Sequence, residues 1–554
     1  MGRFRGLCLL VMHVVVVLAV RPASPQAVPS HQWSQRFGGT GTDNGYAIAV
    51  DATGAVFVTG SFSGTANFGG ADLVSVGGND IFLARYDANG QHLWSKGFGT
   101  VENDEGLAVG VDGLGNVVVT GRFWGTIDFG GGSMVSDYID AFVAKLAPNG
   151  THIWSTRLGG PGAVVGQGIA VDGSGNIVVA GTFEGDADFG GGSVASVFED
   201  MFVAKLGADG TYLWSLSDTG SFTDKAYAVA VDGADNIYVT GSFSDNMHFD
   251  ANYYYTQGLD DIYLAKYDTN GTHLWFAQFG GADKDAGYAL ALDNADNAVV
   301  GGVFGLTAHF GADSLVSAGL TDGFVVRVAP GGSIVSSRRI GSTLLDEVDG
   351  LATDALGNVY AAGYFQGMVD FGGGVISSAG NRDGFLAAYD AADAHVWSRG
   401  LGGTSLDVAN AVAVDVDGNM FAAGNFRLTA NFGGDDLTSA GNPDVFVGKY
   451  GETPSGVASS PSIDVLSIDA YPNPFNPETT LRFTLPSNGR VKIAIYDARG
   501  ALVAAIIDEV RPAGVNVARW NGREASGHGA ASSVYFARIE YNGATRSHKL
   551  VLLK

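Results

Sequence analysis

A segment of about sixty residues recurs seven times between Trp33 and Tyr450, marked by an Asp that closes an apolar run: Asp51, Asp112, Asp172, Asp232, Asp293, Asp354 and Asp415. The intervals are 61, 60, 60, 61, 61 and 61 residues. Spacing this even means one supersecondary unit copied in tandem, each copy burying its apolar face against the next. Any function of the chain should then reside where a copy departs from the pattern.

The second full copy shows the unit. Residues 107–112 are a short apolar run, 113–116 a turn, and 117–121 a run rich in β-branched side chains. After a loop holding Asp128, Phe129 and Gly130 come residues 141–145, a turn at 148–150, and a last segment at 152–155. Four short strands with Gly/Asn/Asp turns and no helical period predict one antiparallel sheet. Gly makes up 84 of 554 residues and falls at fixed places in the repeat, which suits tight turns. Four-stranded sheets in radial array make a β-propeller.

The ends of the array predict how it closes. The last strand of the unit carries Trp33, Trp94, Trp154, Trp214, Trp275, Val335 and Trp397; its first copy precedes the first full repeat and none follows Tyr450. The N-terminal strand at residues 31–37 should therefore complete the last blade and remove the open edge. The fold class expected is all-β: a seven-bladed propeller over residues 31–450, closed by its N-terminal strand. The pattern A-x-A-V-D-x-x-G-N-x-Y-V-T-G-x-F then D-x-F-(V/L)-A-K-(Y/L), clear at 228–243 and 261–267, resembles the bacterial propeller repeats of the SBBP type. That resemblance implies the fold and no particular activity.

Arg3 and Arg5 followed by an apolar run at 7–20 read as a secretory signal over residues 1–27, with an uncleaved anchor as the competing reading. The one Cys, Cys8, lies inside it, so the mature chain is expected to lack disulfides and thiolate metal sites; with the signal removed, no transmembrane span is expected in the mature chain. Net charge is −26, and the repeat region carries about −32 of it. Such a surface disfavours nucleic acid and suits divalent cations or basic partners.

Acids recur eight residues before each anchor at Asp43, Asp104, Asp224, Asp285, Asp346 and Asp407, with Val164 in the third copy. A second series, Asp80, Asp140, Asp200, Asp261, Asp322, Asp383 and Asp444, precedes the third strand. Both should lie on one face around the central opening. They read either as a ring collecting Ca²⁺, with no other cofactor expected, or as backbone acceptors locking the blades; a feature stamped on nearly every copy favours the lock. His31, His92, His152, His273 and His395 stand two residues before the Trp position and read as a packing ladder. Trp124, Tyr138, Phe198, Tyr253 and Tyr255 break the repeat in loops and are the candidate ligand contacts. No pair of carboxylates stands out as a catalytic couple.

Residues 451–465 read as a linker. Residues 466–554 hold short alternating strands at 480–485, 491–496, 515–520 and 534–541, which fit a small Ig-like sandwich. The run Tyr471, Pro472, Asn473, Pro474, Phe475, Asn476, Pro477, with residues 496–500, 520–522, 534–536 and the terminal segment from Lys549 to Lys554, resembles the C-terminal sorting domain of type IX secretion. That domain is itself similar to the Ig-like domain of flagellar hook-capping proteins. Ser533 departs from the family's usual Gly, and an ordinary Ig-like spacer is the competing reading. The resemblance implies the type IX machinery as partner and an extracellular or outer-membrane surface address. The expected function is non-enzymatic binding of a glycan or extracellular protein through loops on one face. A structural envelope component, and a hydrolase or lyase in the central channel, are the alternatives.

Overall fold

The computed structural model describes residues 29–218, 222–249, 252–451 and 467–553, apart from 472, 474, 486–488, 498, 512–513 and 542–543. The signal segment, most of the linker and Lys554 lie outside the described residues. Two compact units separate at Met1–Thr453 and Pro454–Lys554. All regular structure in the described residues is β-strand, and no helix among them is long and apolar enough to cross a membrane.

The first unit is a β-propeller. Its first sheet runs Asp43–Val50, Val56–Asn67, Leu73–Tyr86 and His92–Phe98, each strand antiparallel to the last. Six more sheets of the same order follow, with inner strands Glu105–Val111, Ala163–Val171, Asp224–Val231, Ala286–Leu292, Glu347–Thr353 and Val408–Val414. These inner strands touch one another in cyclic order, the last returning to the first. The N-terminal strand Ser30–Gly39 supplies the outer strand of the last sheet, pairing with Asp444–Gly451 from Ser30↔Gly451 to Phe37↔Val445. The offset of the Trp positions is thus realised as closure between the two ends of the unit.

The second and third strands run longer than their sequence pattern suggests. The expected loop around Phe129 is a two-stranded arm, with Val117–Asp128 pairing Ser133–Leu146 out to Asp128↔Ser133. The reason is packing: Phe68, Phe129, Phe189, Phe310, Phe371 and Phe432 at the arm tips are all buried, mostly against the central Phe of the third strand. His92, His152 and His395 sit under these tips and each hydrogen-bonds the Ser three residues on at 3.1 Å.

Neighbouring sheets are tied at the opposite end. The indole of Trp94 donates to Pro148 O of the next sheet at 2.9 Å, and Trp33, Trp154, Trp214 and Trp275 do the same to their own neighbours. Gly150 has φ +80°, and a Cβ there would lie 3.2 Å from the Trp94 ring, so the turn requires glycine. The anchor Asp completes the tie. Asp112 accepts N–H bonds from Leu114 and Asn116 and pairs with Lys145 at 2.9 Å. In the fifth sheet Asp293 and Asp393 both hold the buried guanidinium of Arg327. Asp293→Ala strips this turn and leaves the buried cation half-compensated, so urea unfolding should show a loss of about 3–5 kcal/mol. Lys225→Ala, at the more exposed Glu199 pair, should stay within about 1 kcal/mol.

In the second unit Ser467–Tyr471, Thr479–Leu485 and Gly514–Trp520 form a three-stranded sheet. Leu502–Arg511, Gly489–Asp497, Ser533–Tyr541 and Ala544–Leu552 form a four-stranded one. Leu481, Phe483 and Trp520 of the first meet Ile493, Ile539 and Leu550 of the second in a common core. The proline-rich run is built into this frame. Asn473 donates to Lys549 O at 2.7 Å and accepts from Val551 N at 2.8 Å, while Phe475 exchanges backbone bonds with Val551 and Leu553 and buries its ring on Trp520. Asn476, Pro477 and Lys549 are exposed, whereas Pro472 and Pro474 lie outside the described residues, as does the Tyr471 side chain.

Candidate functional site

The two acidic series lie side by side on one face of the propeller. Each first-series Asp donates its backbone N–H to the residue preceding a second-series Asp of the previous sheet: Asp104 to Asn79, Asp285 to Asp260, Asp346 to Thr321, Asp407 to Arg382. The carboxylates are wholly enclosed. Asp104 accepts from Thr100 N and Trp124 N, Asp285 from Gly281 N and Gly305 N, Asp346 from Ser342 N and Gln366 N, and Asp407 from Gly403 N and Arg427 N, at 2.5–3.0 Å. Asp43 accepts from Gly39 N at 2.7 Å. Asp104, Asp285, Asp346 and Asp407 therefore spend both oxygens on their own frame, pinning the entry loop to the second strand, while Asp43 Oδ1 is enclosed without a hydrogen-bond partner. For Asp224 the matching donor position, residue 220, lies outside the described residues; beside it stand Asp200 and Asp218, and burial first, then their charges, push its carboxyl up to about 9. No cluster of three or more His, Cys, Asp or Glu with metal-holding geometry occurs among the described residues.

Inside this ring, the residue three after each first-series position is half-buried on the inner strand: Tyr46, Leu107, Gln167, Tyr227, Tyr288, Asp349 and Asn410. A bulge sits at this position in every sheet. The wall is asymmetric. Tyr227 and Tyr288 meet edge to face at 5.0 Å. Next to them, Tyr364 donates to Glu347 Oε2 at 2.8 Å, and Arg382 lies 4.5 Å over the Tyr364 ring. Asp349 Oδ2 is sealed from solvent, and burial first, then the Glu347 charge, holds this carboxyl well above the usual carboxylate range. None of these groups was singled out from sequence. Their one signal is that Asp349 stands at a register position held elsewhere by Tyr, Leu, Gln or Asn.

Of the five aromatics expected in loops, Trp124, Tyr138, Tyr253 and Tyr255 lie on strands, because the second and third strands extend into the arms, and only Phe198 lies in a loop. The backbone of Trp124 is held on both sides, its N–H by Asp104 and its carbonyl by Thr100 Oγ1 at 2.6 Å. Its ring, 37% exposed, meets Tyr138, 44% exposed, edge to face at 5.6 Å. Phe198 stacks on Phe222 at 5.8 Å and 12°, and both remain exposed. Phe222, in the connection to the fourth sheet, was not among the sequence candidates. Tyr253 and Tyr255 are the most exposed of the set but lie on the arm of the fourth sheet, where Tyr253 packs on His248 and Tyr255 O accepts from Gln278. No ring contact joins them to the Trp124 or Phe198 pairs among the described residues.

A family described as "Beta-propeller repeat" (SBBP) matches residues 32–68 and 153–182. The chain is similar to an uncharacterized WD repeat-containing protein of Acanthamoeba polyphaga mimivirus, 21% identical over 71% of this chain and 36% of that protein. It is also similar to the regulatory protein FlaEY of Caulobacter vibrioides, 25% identical over 37% of this chain and 20% of that one. The chain thus spans about a third and a fifth of these relatives. Among solved structures it aligns with PorZ, a surface component of the type IX secretion system of Porphyromonas gingivalis, at 14% identity and TM-score 0.21 over 93% of this chain and 74% of that one. A gluconolactonase of Xanthomonas campestris aligns at 13% identity and TM-score 0.29 over 60% of this chain and 90% of that one. The two matched stretches and the repeated four-stranded sheets agree on the fold, a β-propeller.

Proposed function

We propose that the protein is an exported, non-enzymatic binding propeller that takes a glycan or extracellular protein on the face carrying the channel mouth. The observation that supports this is the pair Trp124 and Tyr138: exposed rings at a pinned bulge where two strands meet, in one sheet only. Phe198 and Phe222 extend the same kind of surface to the next sheet. Rigid aromatic groups of this type supply large contact area at little entropic cost. Export is supported by the proline-rich run at 471–477 and by its tie to the C-terminal strand, which resemble a type IX sorting domain of Ig-like build.

The test is array binding of the full chain against bacterial and host glycans and matrix proteins, with Ca²⁺ and with EDTA. Trp124→Ala should weaken a selective hit by about 30-fold, on the order of 2 kcal/mol, without altering the melting temperature. Loss in EDTA alone would move the acidic ring to the centre of binding. The absence of any hit in both conditions would sink the reading in favour of a structural envelope component.

A further inference from the structure

A cavity of about 350 Å³ opens on this same face where the sixth, seventh and first sheets meet, lined by Thr42, Asn44, Arg382, Asn425 and Arg427 together with Leu406, Val408 and Pro443. No acid lines it, in a chain of net charge −26. Other cations near this face are spent: Arg36, Arg122, Arg157, Lys225 and Arg339 each hold a carboxylate at 2.6–3.0 Å. Arg382 and Arg427 hold none within ion-pair distance among the described residues. We propose that this cavity binds an oxyanion group, a carboxylate or a sulfate, carried by a small ligand or a sugar acid, with Arg382 and Arg427 as its two cationic contacts.

The site is built rather than incidental. Asp407 fixes both arginines through their backbones, accepting from Arg427 N at 3.0 Å and donating its own N–H to Arg382 O at 2.9 Å. The Arg382 guanidinium carbon lies 4.5 Å over the centroid of the Tyr364 ring, a cation–π contact that helps to place it. Asn425 accepts from Asn410 Nδ2 at 2.7 Å, leaving its own amide N–H groups as donors beside the arginines. Planar guanidinium donors match the two oxygens of a carboxylate or sulfate edge, and a second donor set fixes the remaining oxygen. Both arginines break the repeat. Arg427 occupies the register position of Trp124, and Arg382 that of Ile139, Thr321 and Pro443. Tyr364 lies under Arg382 and donates to Glu347, whose carboxylate stands beside the site as an acceptor for hydroxyl groups of a sugar acid.

This inference deepens the binding reading of the same face and rests on it, but its test is separate. The full chain is titrated calorimetrically at low ionic strength with sodium glucuronate, sodium sulfate and glucose. Glucuronate and sulfate should bind competitively and glucose should not. Binding of sulfate alone would assign a sulfate ester as the source of the oxyanion, and binding of glucuronate alone a carboxylate. Arg427→Gln, whose side chain makes no hydrogen bond within the described residues, should weaken anion binding by about tenfold to a hundredfold with an unchanged melting temperature. Arg427→Lys should retain an intermediate affinity, because the charge remains and the fork is lost. No heat with either anion, equal affinity for glucose, or wild-type affinity in Arg427→Gln would each overturn the proposal, whatever the arrays show.

Discussion

Removal of residues 29–39 is expected to abolish the closed monomer. That strand contributes no inner-channel residue, yet it is the outer strand of the seventh sheet and its neighbour's tie at once. Without it the strand Asp444–Gly451 presents a bare row of backbone donors and acceptors over seven paired residues. The Trp33 indole bond to Ala88 O is lost, Asp444 loses Arg36 at 2.6 Å while remaining fully enclosed, and the slot of the buried Phe37, stacked on Tyr86 at 4.7 Å, empties. The first and seventh sheets would then be held only by their inner-strand packing and the Asp43 N–H bond to Pro443 O, with the outer clasp gone. The expected cost is comparable with the whole stability of an ordinary domain, about 5–15 kcal/mol. Size-exclusion chromatography should show aggregate or an expanded species, and limited proteolysis should cut first near residues 444–451. A synthetic peptide of residues 29–39 added in trans should restore protease resistance. A truncated chain that stays monomeric with its original melting temperature would show that the ring does not depend on this closure.

The architecture was legible because a repeat is a periodic signal, and every copy votes for the same strand boundaries. The offset of Trp33 against Tyr450 carried closure, because an extra copy of one strand at one end has few other uses. The strand arms around Phe129 and its equivalents were read as loops, since their Gly-rich tips look like turns and only the buried Phe, bonded to nothing local, gives them a partner. Trp124 and Tyr138 were found by their departure from the pattern, and the structure sets them in contact. Tyr253 and Tyr255 depart equally but sit on an arm, because side-chain type alone does not tell a rim from a face. Glu347, Asp349, Arg382 and Arg427 were passed over for a different reason. Acids and arginines are expected on any surface, and only the ring brings residues 382 and 427 to one cavity with residue 44.

Stability should rise as the medium is acidified from about pH 8 to about pH 5, and then fall. Burial is the leading cause that lifts the enclosed carboxyls: Asp43, Asp80, Asp140 and Asp407 to about 6, Asp200 and Asp285 to about 7, Asp224 to about 9. In the unfolded chain the same groups titrate near 3.9. Between these values the folded state binds protons that the unfolded state does not, so stability grows as pH falls through each folded value and is complete below about pH 4. Asp112, Asp172, Asp232 and Asp293 behave oppositely. Burial would raise them, but the Asn amide, the turn N–H groups and the cation of Lys145, Lys205, Lys266 or Arg327 outweigh it and hold them below the ordinary value. Their contribution is present above about pH 4 and is lost as they are protonated in stronger acid. The two series therefore predict a maximum in the urea midpoint between about pH 4 and pH 5. Asp285→Asn separates this from general charge repulsion, because it keeps the shape and removes one enclosed charge. The variant should gain stability relative to the parent at pH 8 and lose that advantage at pH 5. A midpoint that climbs steadily from pH 5 to pH 8 in the parent would mean that the ring carboxylates are held ionised by their backbone N–H donors, and the enclosed charges would then be a source of stability at neutral pH rather than a cost.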